Sequence, residues 1–526
     1  MIAMKSVIKI LCCQILALGL LTGCSRSFLD RPPLSQISAE NFYKSTNDLR
    51  LATAALYGGS PWGDWNYTCY LPVGDVLSGN MAVGYWGDAV QLNTFSITGQ
   101  NAIMVSNWKS MYNIIAQCNI TINAIKDRAP DSIPLQARNA ATAEARFIRG
   151  YAYFNLAIHW GAVPVIEDNG KLVTSPLVNR VKTEDVYKFA INDLTFAAEH
   201  LPAADAAGRL TTWSAQGMLA KVYLAFSGYN QQGSRNQALL DSAAKYAGNV
   251  CKKSGLALLP NYANLFKTQY NDNPESLFAL QWAPGGGWLE GNMLQIYSTS
   301  PEISANGSAG WFGIGPTVDM IKLYSAKDSI RRKATFMLNG DYYPELNAAG
   351  GGFKYTGNCA IKKHIIGTNK DNNSPTMTQN SSTEHNALLR LADVYLVYAE
   401  ALLGNHGTTT DADALLYFNK VRERAGLMPA PMLDADSIMI ERRIELAAEG
   451  QYWTDLVRLS YYNPAKAIGK LNGEQRVTFT YSGGVITPAS PYGVITPATI
   501  QSFTFPIPSS EITANPKLLE APVPYF

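Results

Sequence analysis

Charge is scarce in this chain. Of 526 residues only 16% are Asp, Glu, Lys or Arg, with 43 basic against 41 acidic. Such a balance argues against a polyanion partner, nucleic acid above all. Histidine is rarer still: His159, His200, His364, His385 and His406 show no His-x-x-x-His and no His–Glu spacing, so the common metal patterns are missing. His159 closes a helical stretch, where it can face the last carbonyls. Seven cysteines include Cys69, Cys118, Cys251 and Cys359, too scattered for a zinc site, and either pairing or burial stays open for them. The chain has no Gly-x-Ser-x-Gly and no phosphate loop, and Gly285-Gly286-Gly287 lacks the strand-then-helix setting that a nucleotide loop requires. No cofactor is expected. The one candidate for structural calcium is Asp64, Asp75 and Asp88, spaced too loosely for an EF-hand. Long apolar runs are also lacking: the longest falls short of the about 20 residues that span a membrane.

That longest run is informative. It extends from Ile10 to Leu21, broken by Gln14 and preceded by Lys5 and Lys9. A basic head, a short apolar centre and a small-residue exit read as a secretory signal over residues 1–23. Leu21-Thr22-Gly23-Cys24 resembles the bacterial lipobox, which implies that Cys24 is lipidated and begins the mature chain, 24–526. The bland alternative is a plain signal peptide or a buried helix with an incidental cysteine. Acyl chains on Cys24 would hold a soluble domain at a membrane surface. Ser25 follows in place of the aspartate that marks inner-membrane retention, so the expected site is the outer membrane. Removing Lys5 and Lys9 leaves 41 residues of each sign.

The rest is patterned for helices. Ala, Leu and Tyr recur at three- and four-residue steps in paired stretches. The pairs are 39–57 with 107–126, 139–160 with 183–200, 213–227 with 236–253, and 385–403 with 411–425. Small residues followed by Tyr inside each pair resemble the tetratricopeptide pattern at irregular spacing. The expected fold is mainly α: four tetratricopeptide-like hairpins (about 39–126, 139–200, 213–253 and 385–425) form a curved scaffold in a single domain. Loop-rich regions with few short strands, about 58–107 and 276–384, are expected to carry function. A near-repeat, GVITPA at 484–489 and 493–498, predicts a hairpin or extended loop.

Several stretches resemble the SusD/RagB outer-membrane lipoproteins: AEARFIRGYAYFNLAIHWGAVPVI (143–166), LLRLADVYLVYAEALLG (388–404), FNKVRERAGL (418–427), IERRIELAAEGQYWTDLVRL (440–459) and FPIPSSEITANPKL (505–518). SRSFLD after Cys24 is also typical, so the resemblance spans nearly the whole mature chain. It implies a Bacteroidetes surface lipoprotein that binds glycan and sits as a lid on a SusC-like TonB-dependent transporter. It also implies a loop-rich ligand site on a tetratricopeptide-like body, and no catalysis.

The ten tryptophans sort by setting. Trp108, Trp160, Trp213 and Trp453 lie on or beside helical stretches, and Trp282 follows a strand-like SLFALQ, so core packing is expected. Trp62, Trp65, Trp86, Trp288 and Trp311 sit among glycines and polar residues. A sugar presents an apolar face of C–H groups that stacks on an aromatic plane, and its hydroxyls need polar partners. The expected ligand-binding residues are Trp62, Trp65, Asn80, Tyr85, Trp86, Trp288, Asn292, Tyr297 and Trp311, with Gln91, Glu290 and Gln295 as further polar candidates. Residues 58–107 and 276–318 contain no Lys or Arg, so a neutral glycan is expected. Lys354, Lys362, Lys363 and Lys370 would reverse that if their segment entered the site.

Glu441, Glu445 and Glu449 form a stripe four residues apart. Two carboxylates are what a glycosidase needs, but three on one face repel unless cations meet them. Arg390, Arg422, Arg442, Arg443 and Arg458 are the expected partners, and a structural ion network is the expected role. Two rival functions stand beside glycan capture: a RagB-like peptide- or protein-binding lipoprotein, and a glycoside hydrolase using the stripe.

Overall fold

The computed structural model describes residues 42–283, 285, 288–297, 300–304, 313–372 and 374–526. The signal segment, Cys24 and Trp311 lie outside the described residues.

Seven helices form the frame, each packed on the next. They are α4 (Ala102–Arg128), α5 (Leu135–Trp160), α6 (Thr183–His200), α7 (Thr212–Phe226), α8 (Gln237–Lys253), α9 (Leu391–Leu403) and α10 (Ala412–Arg424). Helix α5 is buried at every position from Phe147 to Trp160. Neighbours cover α5 on several sides, and its buried Arg149 is matched by Asp193 at 2.7 Å. Gly150 lets α6 approach: a Cβ there would lie 3.1 Å from the Ala190 carbonyl oxygen. The expected pairs α5–α6, α7–α8 and α9–α10 are present. Starts differ from the periodicity. Asn101 caps α4 by accepting from the Ile103 and Met104 amides at 3.0 and 3.2 Å, so this helix begins five residues early. Residues 386–390 are a strand, and α9 begins only at Leu391. The first hairpin is reduced to α1 (Thr46–Ala54), with Ser45 and Asp48 as its capping box, and it packs on α5 as well as α4.

The region 58–107 is less of a loop than its glycines suggest. It contains α2 (Ser60–Asp64), two π-helical turns (Trp65–Cys69 and Pro72–Val76), β1 (Met81–Ala82) and α3 (Gly87–Asn93). Its glycines serve close approach. A Cβ on Gly58 would lie 1.9 Å from the Gln281 carbonyl oxygen, on Gly63 1.4 Å from that of Leu289, and on Gly74 2.1 Å from Gly450 Cα. Backbone packs directly on backbone there, which only glycine permits.

Short antiparallel pairs tie segments distant in sequence together. Strand β2 (Ser276–Leu280) pairs with β4 (Asn386–Arg390), and β1 pairs with β3 (Gly315–Pro316). In the tail, β5 (Phe479–Ser482) and β6 (Val485–Pro488) close through Gly483-Gly484, both at positive φ, so the first GVITPA copy is a hairpin strand. The second runs as extended chain, where the Thr496 amide donates to the Thr94 carbonyl. One apolar cluster holds residues from Leu56 to Phe505, including Trp108, Trp160, Trp282 and Trp453. All four described cysteines are free thiols.

The carboxylate stripe lies at the heart of the molecule. Glu445 is fully buried on α11 (Ala435–Glu445). It accepts from Arg390 at 2.7 Å and Arg331 at 3.2 Å, and also pairs with Arg424. Glu441 is held by Arg331 at 2.6 Å and Arg422 at 2.9 Å. Glu449 is held by Arg390 at 2.7 Å and Lys363 at 2.8 Å. The ion network is therefore structural, as the spacing implied. Two of the expected arginines take part, and Arg331, Arg424 and Lys363 supply the remaining charge. Arg442 and Arg458 pair instead with Asp393, Asp455 and Glu400, and Arg443 with Asp319 and Glu474.

Burial alone would raise the Glu445 pKa, but the guanidiniums of Arg424, Arg390 and Arg331 overcome it and hold the carboxyl at about 2. The unfolded chain, near its free value of about 4.3, takes up a proton first as pH falls. Stability from this group is therefore complete above that value and is lost between about pH 5 and 2. Glu445→Gln leaves buried cations unmatched and is expected to lower unfolding stability by about 3–5 kcal/mol. Denaturant titrations at pH 7 and pH 3 check both points: the loss should be large at neutral pH and shrink in acid.

Candidate functional site

Of the nine sequence-selected residues, the eight described ones separate by burial. Trp62 is 0% exposed, and its indole donates to the Leu56 carbonyl at 2.8 Å. Trp65, 6% exposed, donates to Asn107 at 3.0 Å and meets Trp62 edge-on at 5.7 Å. Both are core residues, because α2 and the first π turn carry Trp62 inward against Tyr151 and Phe278 and Trp65 against Tyr70. Asn80 is buried between Asp75, which accepts from it at 2.9 Å, and Arg443, which donates to it at 2.8 Å. Asn292 is buried and donates to the Glu384 carbonyl at 2.8 Å. Tyr297 is buried and donates to the Tyr67 carbonyl at 2.9 Å. Gln295 is likewise buried, bonded to the backbone of Gly367 and Ile366. These residues brace the segment, and none offers a free face to a ligand.

What they brace is a set of surface rings. Trp288 is 52% exposed and Tyr85 55% exposed, with Trp86 and Tyr67 half-buried. The Trp288 and Tyr67 rings meet at 5.4 Å and 69°, an edge-to-face pair that fixes the angle of each. Trp288 owes its position to backbone fit: Leu289, at a left-handed φ of 67°, seats its carbonyl on Gly63. The Met293 amide also donates to Asn66 at 3.1 Å. Tyr85 and Trp86 sit between β1 and α3, and a Cβ on Gly313 would touch the Tyr85 ring at 3.4 Å. Tyr67 was passed over in the sequence; the signal was its place in WNYTCY, where one π turn buries Trp65 and leaves Tyr67 outward.

Beside this turn lies a groove of about 910 Å³, lined by residues that include Ser60, Pro61, Asn113, Gln117, Ala283, Glu290 and His385. Among the described residues no Lys or Arg lines it. Lys362 and Lys363 are buried and paired with Glu345 and Glu449, so these two leave the ring surface neutral. Lys354 and Lys370 are exposed. The three candidate calcium aspartates have separate partners: Asp64 accepts from Thr68, Asp75 from the Ala448 and Gly450 amides, and Asp88 from the Ala102 amide. Among the described residues no three His, Cys, Asp or Glu side chains converge to hold a metal.

The SusD family matches residues 274–523, and a family described as starch-binding, associating with outer membrane, matches residues 50–224. A SusD-like protein of Bacteroides ovatus is 37% identical over 96% of each chain. The chain belongs to the SusD family. A crystal structure with xylogluco-oligosaccharide is 36% identical, with a TM-score of 0.84 over 91% of this chain and 99% of that one. A SusD homolog from Bacteroides thetaiotaomicron shares the fold at 20% identity, with a TM-score of 0.73 over 94% of this SusD-family chain and 99% of its own.

Gly63→Ala drives a Cβ into the Leu289 carbonyl and is expected to release the Trp288 turn. Hydrogen exchange should rise in 288–293 while α5 stays protected; unchanged exchange would show that the contact does not hold the turn.

Proposed function

We propose that this protein captures neutral oligo- or polysaccharide at the cell surface and passes it to a SusC-like TonB-dependent transporter in the outer membrane. The observation that carries the reading is the Trp288–Tyr67 pair, at the surface of a rigid body and beside a groove that no Lys or Arg lines among the described residues. Rings of this kind grip the C–H face of a sugar with few torsions to freeze. Tyr85 and Trp86 extend the aromatic surface, and Trp311 joins them in the proposal on its sequence setting. The relative solved with xylogluco-oligosaccharide supports a glycan as ligand. Cys24 would be the tether, supported by its lipobox setting and by the outer-membrane association in the matched family's description. The carboxylates that suggested a glycosidase are locked in the core network, out of reach of any polymer.

Trp288→Ala is expected to weaken binding of a neutral glycan at least several-fold. Its effect on unfolding should stay within about 0.5 kcal/mol, because a surface ring contributes little to the core. Affinity electrophoresis in polysaccharide gels, alongside thermal melts, tests both. Unchanged migration of the variant would remove Trp288 from the site.

A further inference from the structure

The groove beside Trp288 has a shape and chemistry that stacking does not use. Its volume of about 910 Å³ is near the top of the roughly 300–1,000 Å³ typical of small-ligand sites. It shares structure with the rings. Glu290, two residues past Trp288, forms one edge. Ser60 and Pro61 form another, at the start of the helix whose Gly63 seats Leu289. A sugar stacked on Trp288 uses one of its faces, which leaves the substituents on its ring edge for contacts beyond the stack.

The walls specify what would enter. Asn113 and Gln117 stand one turn apart on α4, both exposed and with no protein partner for either amide among the described residues. Amides at that spacing offer paired donors and acceptors, the complement of vicinal hydroxyls. His385 is fixed from behind by Asp272 at 3.0 Å. With no Lys or Arg in the walls among the described residues and Glu290 at the edge, a uronate or sulfate would find no counter-charge there.

We propose that this groove takes a neutral side branch of a glycan whose main chain lies across Trp288 and Tyr67, making the ligand a branched, uncharged polysaccharide; this rests on the glycan-capture reading above. Rings hold the backbone and the groove selects the branch.

The test pairs linear and branched oligosaccharides of equal backbone length, titrated calorimetrically against the full chain in detergent: cello- with xylogluco-, xylo- with arabinoxylo-, and manno- with galactomanno-oligosaccharides. The expected result is at least about tenfold tighter binding of the branched member in one pair. Gln117→Trp, which fills the groove from an exposed helix position, should cut that branched-over-linear ratio to near one. Equal affinities within every pair that binds would overturn the branch assignment and leave glycan capture standing. So would a branched preference that Gln117→Trp does not change. A gain that follows added length of a linear chain would instead give the groove to the main chain, and overturns the inference too. No binding by any pair would overturn the inference and the glycan reading together.

Discussion

Glu445 and the guanidiniums around it hold the two halves of this protein in register. Arg390 ends the strand that pairs with β2 from the loop-rich half, and Arg331 lies in that half as well. Both converge on one carboxylate at the end of α11, with Arg424 of α10 completing its surroundings. Burying such charges costs several kcal/mol each unless every one is matched. Matching here demands that helices and loops meet at one geometry. The network thus gives little net stability and much positional definition, and the rings at the surface inherit that definition.

A second constraint transmits it outward. Backbone packs on backbone at Gly58, Gly63 and Gly74, so the 58–77 segment is pressed against 281–289 and 450 with no side chain between. Contact at that distance leaves little play. It places Tyr67 and Trp288 edge to face at the surface. The aromatic surface is thus built from the body of the fold, with buried Asn66, Asn292 and Tyr297 fixing the turn behind it.

Much of this could be read from residues. The helical frame followed from three- and four-residue spacing, and the ion-network reading of the glutamate stripe from the repulsion three carboxylates would otherwise feel. Trp288, Tyr85 and Trp86, selected by their setting among glycines, lie at or near the surface. The same criterion failed for Trp62 and Trp65, because a glycine that opens a loop and a glycine that admits a neighbouring backbone look alike in sequence. Only the tertiary contact separates them, and it comes from residues more than 200 positions away. Asn80 and Asn292 failed similarly: a polar residue near an aromatic one is as readily a buried brace as a ligand contact. The groove residues Asn113 and Gln117 could not be found, since exposed amides on a helix are the ordinary solvent face until the fold sets them beside a ring.

The account holds that flat rings, without counter-charge, grip an uncharged sugar. Ionic strength tests this most directly. A neutral polysaccharide that binds the full chain should show a Kd that changes less than about twofold between about 0.01 and 1 M salt, where the screening length falls from about 30 to 3 Å. A Kd that rises tenfold or more over that range, or tighter binding of a uronic-acid polymer at low salt, would contradict it.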